Sequence, residues 1–144
     1  MRRFAPLPTF LLACWLLIPS GSLAQRGTLE KPAPVEVWCG GDDGLTSKVC
    51  DATEQAFRAA QDFPLRKADE TAKYKVVIAT NVDWKKVRGR LQILYAIELR
   101  NMDDKEIGRF KGSCWESKVQ ACGTQILGST RSLLITIVQE STSQ

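Results

Sequence analysis

The apolar positions of this chain change period several times after residue 35. Val35-Glu36-Val37-Trp38-Cys39 alternates and is rich in β-branched residues, the mark of a short strand. Leu45, Val49, Ala52, Ala56, Ala60 and Phe63 follow in steps of three and four, which sets all six along one side of a helix. Pro64 ends that helix, because it lacks an N–H and its ring clashes with the preceding turn. Asp43 stands where a carboxylate accepts the free N–H groups of a first turn. Period two returns in Tyr74 to Trp84, with Val76, Ile78, Thr80, Val82 and Trp84 on one face. It returns again in Leu91 to Arg100, with Leu91, Ile93, Tyr95, Ile97 and Leu99 on one face. The basic connection KKVRGR, with Gly89, lies between them. The turn formers of NMDDKE precede a weaker strand, Ile107 to Cys114, which holds two glycines. Val119, Cys122, Ile126, Ser129, Leu133 and Ile137 then repeat the helical steps. Leu133 to Val138 is β-branched enough to form a strand as well; the unbroken period favours helix.

The predicted order is β-α-β-β-β-α, an α+β fold. Two amphipathic helices on one face of a mixed, mostly antiparallel sheet make a two-layer sandwich. The three later strands form a meander. The first strand must join them by a crossover through the first helix. The predicted domain spans 35–139, with a tail at 140–144.

The amino-terminal segment adds a destination. Arg2 and Arg3, the apolar run Phe10 to Ile18, and Ser22-Leu23-Ala24 have the three-part pattern of a secretory signal peptide with cleavage after Ala24. The run is too short to cross a bilayer of ~30 Å as a helix, so no integral span is expected after processing. A lipoprotein anchor at Cys14 is the weaker alternative, since Trp15-Leu16-Leu17-Ile18 follows where an anchored chain turns polar. QRGTLEKPAP, residues 25–34, reads as a flexible leader. The location expected is the periplasm.

Processing also changes the cysteine count. The chain has five cysteines, and loss of Cys14 leaves Cys39, Cys50, Cys114 and Cys122. An even number in an oxidising compartment favours two disulfides. Of the three possible connectivities, Cys39–Cys50 and Cys114–Cys122 join cysteines that are close in sequence and flank predicted turns. Trp38 and Trp115 each adjoin one of these cysteines and are expected to pack on the bridges.

Several chemistries are disfavoured. The formal net charge is +4, two units of which leave with Arg2 and Arg3, and a nucleic-acid binder would show a strongly basic face. Histidine is absent, which removes the usual general base and the commonest metal ligand. No Cys-x-x-Cys motif is present. The loop CGGDDGLTSKVC raises Asp42 and Asp43 as candidates for a hard cation or a binding loop. Its spacing does not match an EF-hand, and its two negative charges disfavour phosphate. A strand-to-helix corner, capped by Asp43 and closed by a disulfide, accounts for the same residues. Asp42, Asp43, Asp103, Asp104 and Glu106 are the available carboxylates for acid–base work, but acidic turns are ordinary solvated surface. No cofactor and no metal are expected.

VDWKKVRGR offers a different chemistry. Trp84 is placed at a hairpin tip among Lys85, Lys86, Arg88 and Arg90, and Trp and Arg dominate binding energy at protein interfaces. Anionic lipid is a second possible contact. The alternative packs Trp84 into the end of the core, in phase with its strand.

The run YKVVIATNVDW, a strand pair, and RNMDDKEIGRF, with Asp104, Glu106 and Gly108 near its turn, resembles the amino-terminal domain of the periplasmic protein TolB and its relatives. The resemblance covers Val35 to about Val138. It implies a non-enzymatic domain that binds other envelope proteins; the cysteine pairs depart from that family. The function expected is therefore a secreted or periplasmic, non-enzymatic protein-binding accessory module of the bacterial cell envelope, with another envelope or secreted protein as partner. The alternative is a periplasmic inhibitor or immunity protein that blocks a toxin or hydrolase with its CGGDDG loop.

Overall fold

A computed structural model describes residues 31–143 of the chain. The segment expected to be an export leader, Cys14 within it, and residues 25–30 lie outside the described residues. The element order is β1 (Val35–Cys39), α1 (Gly44–Ala59), β2 (Tyr74–Ile78), β3 (Asp83–Val87), β4 (Arg90–Asn101), β5 (Glu106–Trp115), a short 3-10 turn (Glu116–Lys118) and α2 (Val119–Thr142). It is an α+β fold with a mostly antiparallel sheet, as the periodicity predicts.

β1 pairs with β2 in parallel, with Val37 opposite Val76. The crossover through α1 therefore has the geometry the first strand required. β2 and β3 run in succession down one flank of β4, with Val76 opposite Leu99 and Trp84 opposite Ile93. β5 takes the other flank, with Phe110 opposite Ile97. The single strand expected over Tyr74 to Trp84 is thus two. Residues 79–82 leave the ladder between them, and β2 and β3 meet β4 in registers that differ by two residues. Because the offset is even, side-chain phase survives the break.

Val35, Val76, Ile78, Ile93, Tyr95, Ile97 and Leu99 share one face of the sheet and are buried under the helices. On α1 the buried stripe is Thr46, Val49, Cys50, Ala52, Thr53 and Phe57, rotated from the one expected. Two threonines turn inward because their hydroxyls find partners at once. Thr53 Oγ1 donates to the Val49 carbonyl at 2.7 Å, and Thr46 Oγ1 donates to Asp43 Oδ2 at 2.6 Å. α1 also stops at Ala59 rather than near Pro64. In a continued helix the Pro64 ring would clash with the Ala60 carbonyl four residues earlier, and Ala60 has already left the helix with ψ 138. Phe63 is still fully buried, from the loop. α2 is helical throughout, which resolves the ambiguity at Leu133 to Val138. Its buried positions are Cys122, Gly123, Ile126, Thr130 and Leu134. Ala33, ahead of β1, is buried as well, and its N–H donates to the Asp62 carbonyl at 2.9 Å.

The two helices pack tightly at Gly123. A Cβ there would overlap the Ala52 carbonyl and lie 2.9 Å from the Thr53 nitrogen. Both obstacles are backbone, so only a shift of one helix relieves them. Alanine favours helix over glycine by about 1 kcal/mol, yet Gly123→Ala is expected to destabilise by about 1–3 kcal/mol through overpacking. A urea midpoint equal to or above wild type would show that the helices separate without loss.

Candidate functional site

Two disulfides are present: Cys39–Cys50, with Cα atoms 6.4 Å apart, and Cys114–Cys122, at 5.4 Å. Each joins the end of a strand to a helix. Trp38 and Trp115 do not pack on them. Successive strand side chains point to opposite faces, so when Cys39 and Cys114 face the helices their tryptophan neighbours face away. Trp38 is exposed. The Arg90 guanidinium lies over the Trp115 ring, 4.3 Å from its centroid.

The Gly40–Asp43 loop is tied down. Asp43 Oδ1 accepts from the Leu45 and Thr46 N–H groups, both at 2.8 Å, which makes it the expected cap of α1. The hydrogen bond from the Thr46 hydroxyl is the main cause holding its carboxyl below the usual range. Asp42 pairs with Asn81: its N–H donates to Asn81 Oδ1 at 2.8 Å and its Oδ1 accepts from Asn81 Nδ2 at 3.0 Å. Asp42 thereby fastens the start of α1 to the break between β2 and β3, while Asp43 closes the first turn of the helix.

The acidic turn is likewise engaged. Lys75 Nζ and the Arg100 guanidinium both donate to Asp104 at 3.1 Å. Glu98 receives Arg100 at 2.7 Å and Arg109 at 3.0 Å, and Arg109 also reaches Glu106 at 2.8 Å. Hydrogen bonds from Lys75 and from Arg109 hold the carboxyls of Asp104 and Glu106 respectively below their ordinary values. A general acid needs the opposite shift. Asp103 is exposed and its N–H donates to Asn101 Oδ1 at 3.1 Å. Among the described residues, no group of three or more His, Cys, Asp or Glu side chains is placed to hold a metal.

One carboxylate outside the expected set matters for stability. Asp62 Oδ1 accepts from Arg131 at 2.8 Å, and Asp62 Oδ2 accepts a second bond from the same guanidinium. That bond is the first cause of the lowered Asp62 pKa, with partial burial opposing it. A depressed folded-state pKa gives stability that is complete above the unfolded value, 3.8, and is lost as pH falls through the lower folded value. Both side chains are over a third exposed, so the effect is modest. Asp62→Asn should unfold earlier than wild type near pH 7, and the two curves should converge as pH falls below 3.8 and through the lower folded-state value. A constant gap between them would show that the charge of Asp62 contributes nothing.

The hairpin differs from both expectations for it. KKV belongs to β3, and the turn is Arg88-Gly89 alone, with φ of 50° and 78°. Positive φ at both central residues is the two-residue hairpin turn whose twist suits flanking strands. Trp84 is therefore within the strand rather than at the tip. Its partner Ile93 is buried, so its phase is that of the core face. Even so, Trp84 is 59% exposed, because β3 packs mainly on β4 and the helical layer does not cover it. Lys85, Lys86, Arg88 and Arg90 are all exposed. None of them makes an ion pair among the described residues.

An exposed strand edge is a contact the sequence reading also offers, through strand addition; the structure places one at the outer side of β3. Val87 and Arg90 close the turn, so alternation assigns the backbone groups of Asp83, Lys85 and Val87 to β4. The groups of Val82, Trp84 and Lys86 point outward. The Val82 N–H donates to Thr46 Oγ1 at 2.9 Å. Among the described residues, no protein group takes those of Trp84 and Lys86. On the same side of the sheet, Leu65 bridges to Val35, and the Arg66 N–H donates to the Val35 carbonyl at 2.8 Å, which covers the start of β1.

No helix among the described residues is long and apolar enough to cross a membrane. No family model matches the chain, and no curated protein matches it. Among solved structures, the chain is similar to a PelC dodecamer from Paraburkholderia phytofirmans, at 13% identity and TM-score 0.49, over 69% of this chain and 88% of that one. It is also similar to a Xanthomonas campestris protein carrying the family designation DUF330, at 12% identity and TM-score 0.47, over 78% of this chain and 89% of that one. Likenesses this distant carry no argument about activity, partner or assembly.

Proposed function

We propose that this chain is an exported, non-enzymatic protein-binding accessory module of the bacterial cell envelope, acting in the periplasm after removal of its leader. The observation that carries the reading is the uncovered β3 edge, where exposed Trp84 stands among four cations without ion-pair partners. An aromatic anchor surrounded by arginine and lysine is the usual composition of a binding hot spot. The disulfides support an oxidising compartment. The carboxylates Asp43, Asp104 and Glu106, held ionised by their neighbours, support a role without acid–base chemistry. Kinship with the TolB amino-terminal domain is proposed on the sequence pattern alone. An inhibitor that inserts its Gly40–Asp43 loop into a hydrolase is the less favoured reading, because Asp42 and Asp43 are already bonded within the chain.

Trp84→Ala tests the reading. As a surface change it should move stability by no more than about 0.5 kcal/mol. Affinity purification from the native envelope should then lose its specific partner, through binding weakened roughly tenfold or more. Unchanged recovery would remove β3 from the interface. Recovery of a hydrolase that is inactive in the complex would favour the inhibitor.

A further inference from the structure

We infer that the β3 edge takes an extended, acidic segment of a partner protein as an added strand; this rests on the binding-module reading and names the partner's chemistry. The backbone sets the first requirement. Trp84 and Lys86 direct an N–H and a C=O each away from β4 and have no protein partner there among the described residues. An extended chain laid alongside satisfies all four groups, which is strand addition. Thr46 marks where the open edge begins, because its hydroxyl already occupies the Val82 N–H.

Charge sets the second requirement. Lys85 and Lys86 lie on opposite faces of β3, so an added strand meets a cation on each of its own faces. Arg88 and Arg90 extend the positive field past the turn, and Asp83 is the one carboxylate in β3. The far end of the sheet is different, since Lys75, Arg100 and Arg109 are neutralised there by Glu98, Asp104 and Glu106. The positive field therefore belongs to the β3 edge, whereas the outer edge of β5, which also lacks a backbone partner among the described residues, carries Arg109 neutralised by Glu98 and Glu106. Edge lysines are a common defence against self-association, and here they oppose a second copy of β3 by like charge. The same lysines attract glutamate or aspartate. A purely defensive edge has no use for an exposed tryptophan, whereas a docked strand covers Trp84 with an apolar residue.

The probe is a fluorescein-labelled ten-residue peptide repeating Glu-Glu-Val, which presents glutamate and valine on both faces of an extended strand, with a repeating Lys-Lys-Val peptide as its control. Both are titrated into the disulfide-bonded chain and followed by anisotropy and by amide hydrogen exchange. The acidic peptide should bind, weaken as salt is raised, and slow exchange at the Trp84 and Lys86 amides while leaving the already bonded Lys85 amide unchanged. The Lys85→Glu/Lys86→Glu double variant should weaken it at least roughly tenfold. Binding without protection of Trp84 and Lys86 would overturn strand addition and leave the docking reading in place. Equal binding of the lysine peptide, or no binding of the acidic one while the wild-type chain still recovers a partner from the envelope, would overturn the acidic segment alone. Binding to phosphatidylglycerol vesicles in place of the peptide would overturn it in favour of a membrane surface. Loss of both the peptide and the partner would remove the binding-module reading as well.

Discussion

Replacing Cys39, Cys50, Cys114 and Cys122 with serine will lower the unfolding free energy of the domain by about 5 kcal/mol, with each bridge contributing about 2–3 kcal/mol by loop closure. The sequence separations are 11 and 8 residues, short loops that still remove appreciable entropy from the unfolded chain. Position adds to length. One bridge fixes α1 to the end of β1, and the other fixes α2 to the end of β5, so together they hold the helical layer on the sheet. A domain of this size has about 5–15 kcal/mol in total. The variant should therefore melt roughly 20 °C lower, and the wild-type chain should behave like it under a strong reductant. This ties location to folding, because a compartment that keeps thiols reduced would hold the chain near its unfolding transition. Equal melting of the oxidised and reduced chain would break that link.

How much of this was legible beforehand depends on which physical signal each element sends. β4 shows plain alternation, and Ile93, Tyr95, Ile97 and Leu99 are buried as expected. β5 reads weakly because of Gly108 and Gly112, yet those glycines make room for Leu133 and for the Tyr95 ring. Absence of a side chain is a packing feature there, and periodicity cannot score it. The helical period identified both helices but rotated the buried stripe of each. Thr46, Thr53 and Thr130 are buried, and hydropathy counts threonine as surface. Phe57 was lost from the expected face for that reason, since it follows Thr46, Val49, Cys50 and Thr53 around α1 rather than the alanines. The break at residues 79–82 left no sequence signal either. It keeps the phase of Trp84, so the pattern on both sides of it looks continuous.

The same break explains why the hairpin was half legible. Residue types marked Trp84 and its cations as a candidate contact, and phase marked Trp84 as core. Both signals are sound. Strand phase fixes the direction of a side chain, but burial needs a covering layer on that side. β3 runs beyond the helices, so Trp84 faces the core side and still meets solvent. The unpaired backbone of the edge follows from the register of three residues with β4, and sequence alone does not give that register.

Phe57→Ala should destabilise the domain by about 3–5 kcal/mol. The ring is fully buried, and its residue also organises the chain that follows α1. The Phe57 carbonyl accepts from the Ala60 and Leu65 N–H groups, both at 3.1 Å, and so ends the helix and turns the chain back towards β1. Collapse around the lost ring is restricted from two directions. Cys39–Cys50 holds α1 to the sheet, and Gly123 already brings α2 onto the backbone of Ala52. The cavity therefore stays open, which is the condition for the upper part of that range. Phe57→Leu keeps most of the volume and should lose no more than about 1.5 kcal/mol. The pair gives the control that Trp84→Ala requires. Phe57→Ala should reduce partner recovery in proportion to the fraction unfolded and regain it at lower temperature, whereas Trp84→Ala should lose recovery with its melting curve intact. If the two variants lose binding and stability in the same ratio, Trp84 is a core residue and β3 is not a docking edge.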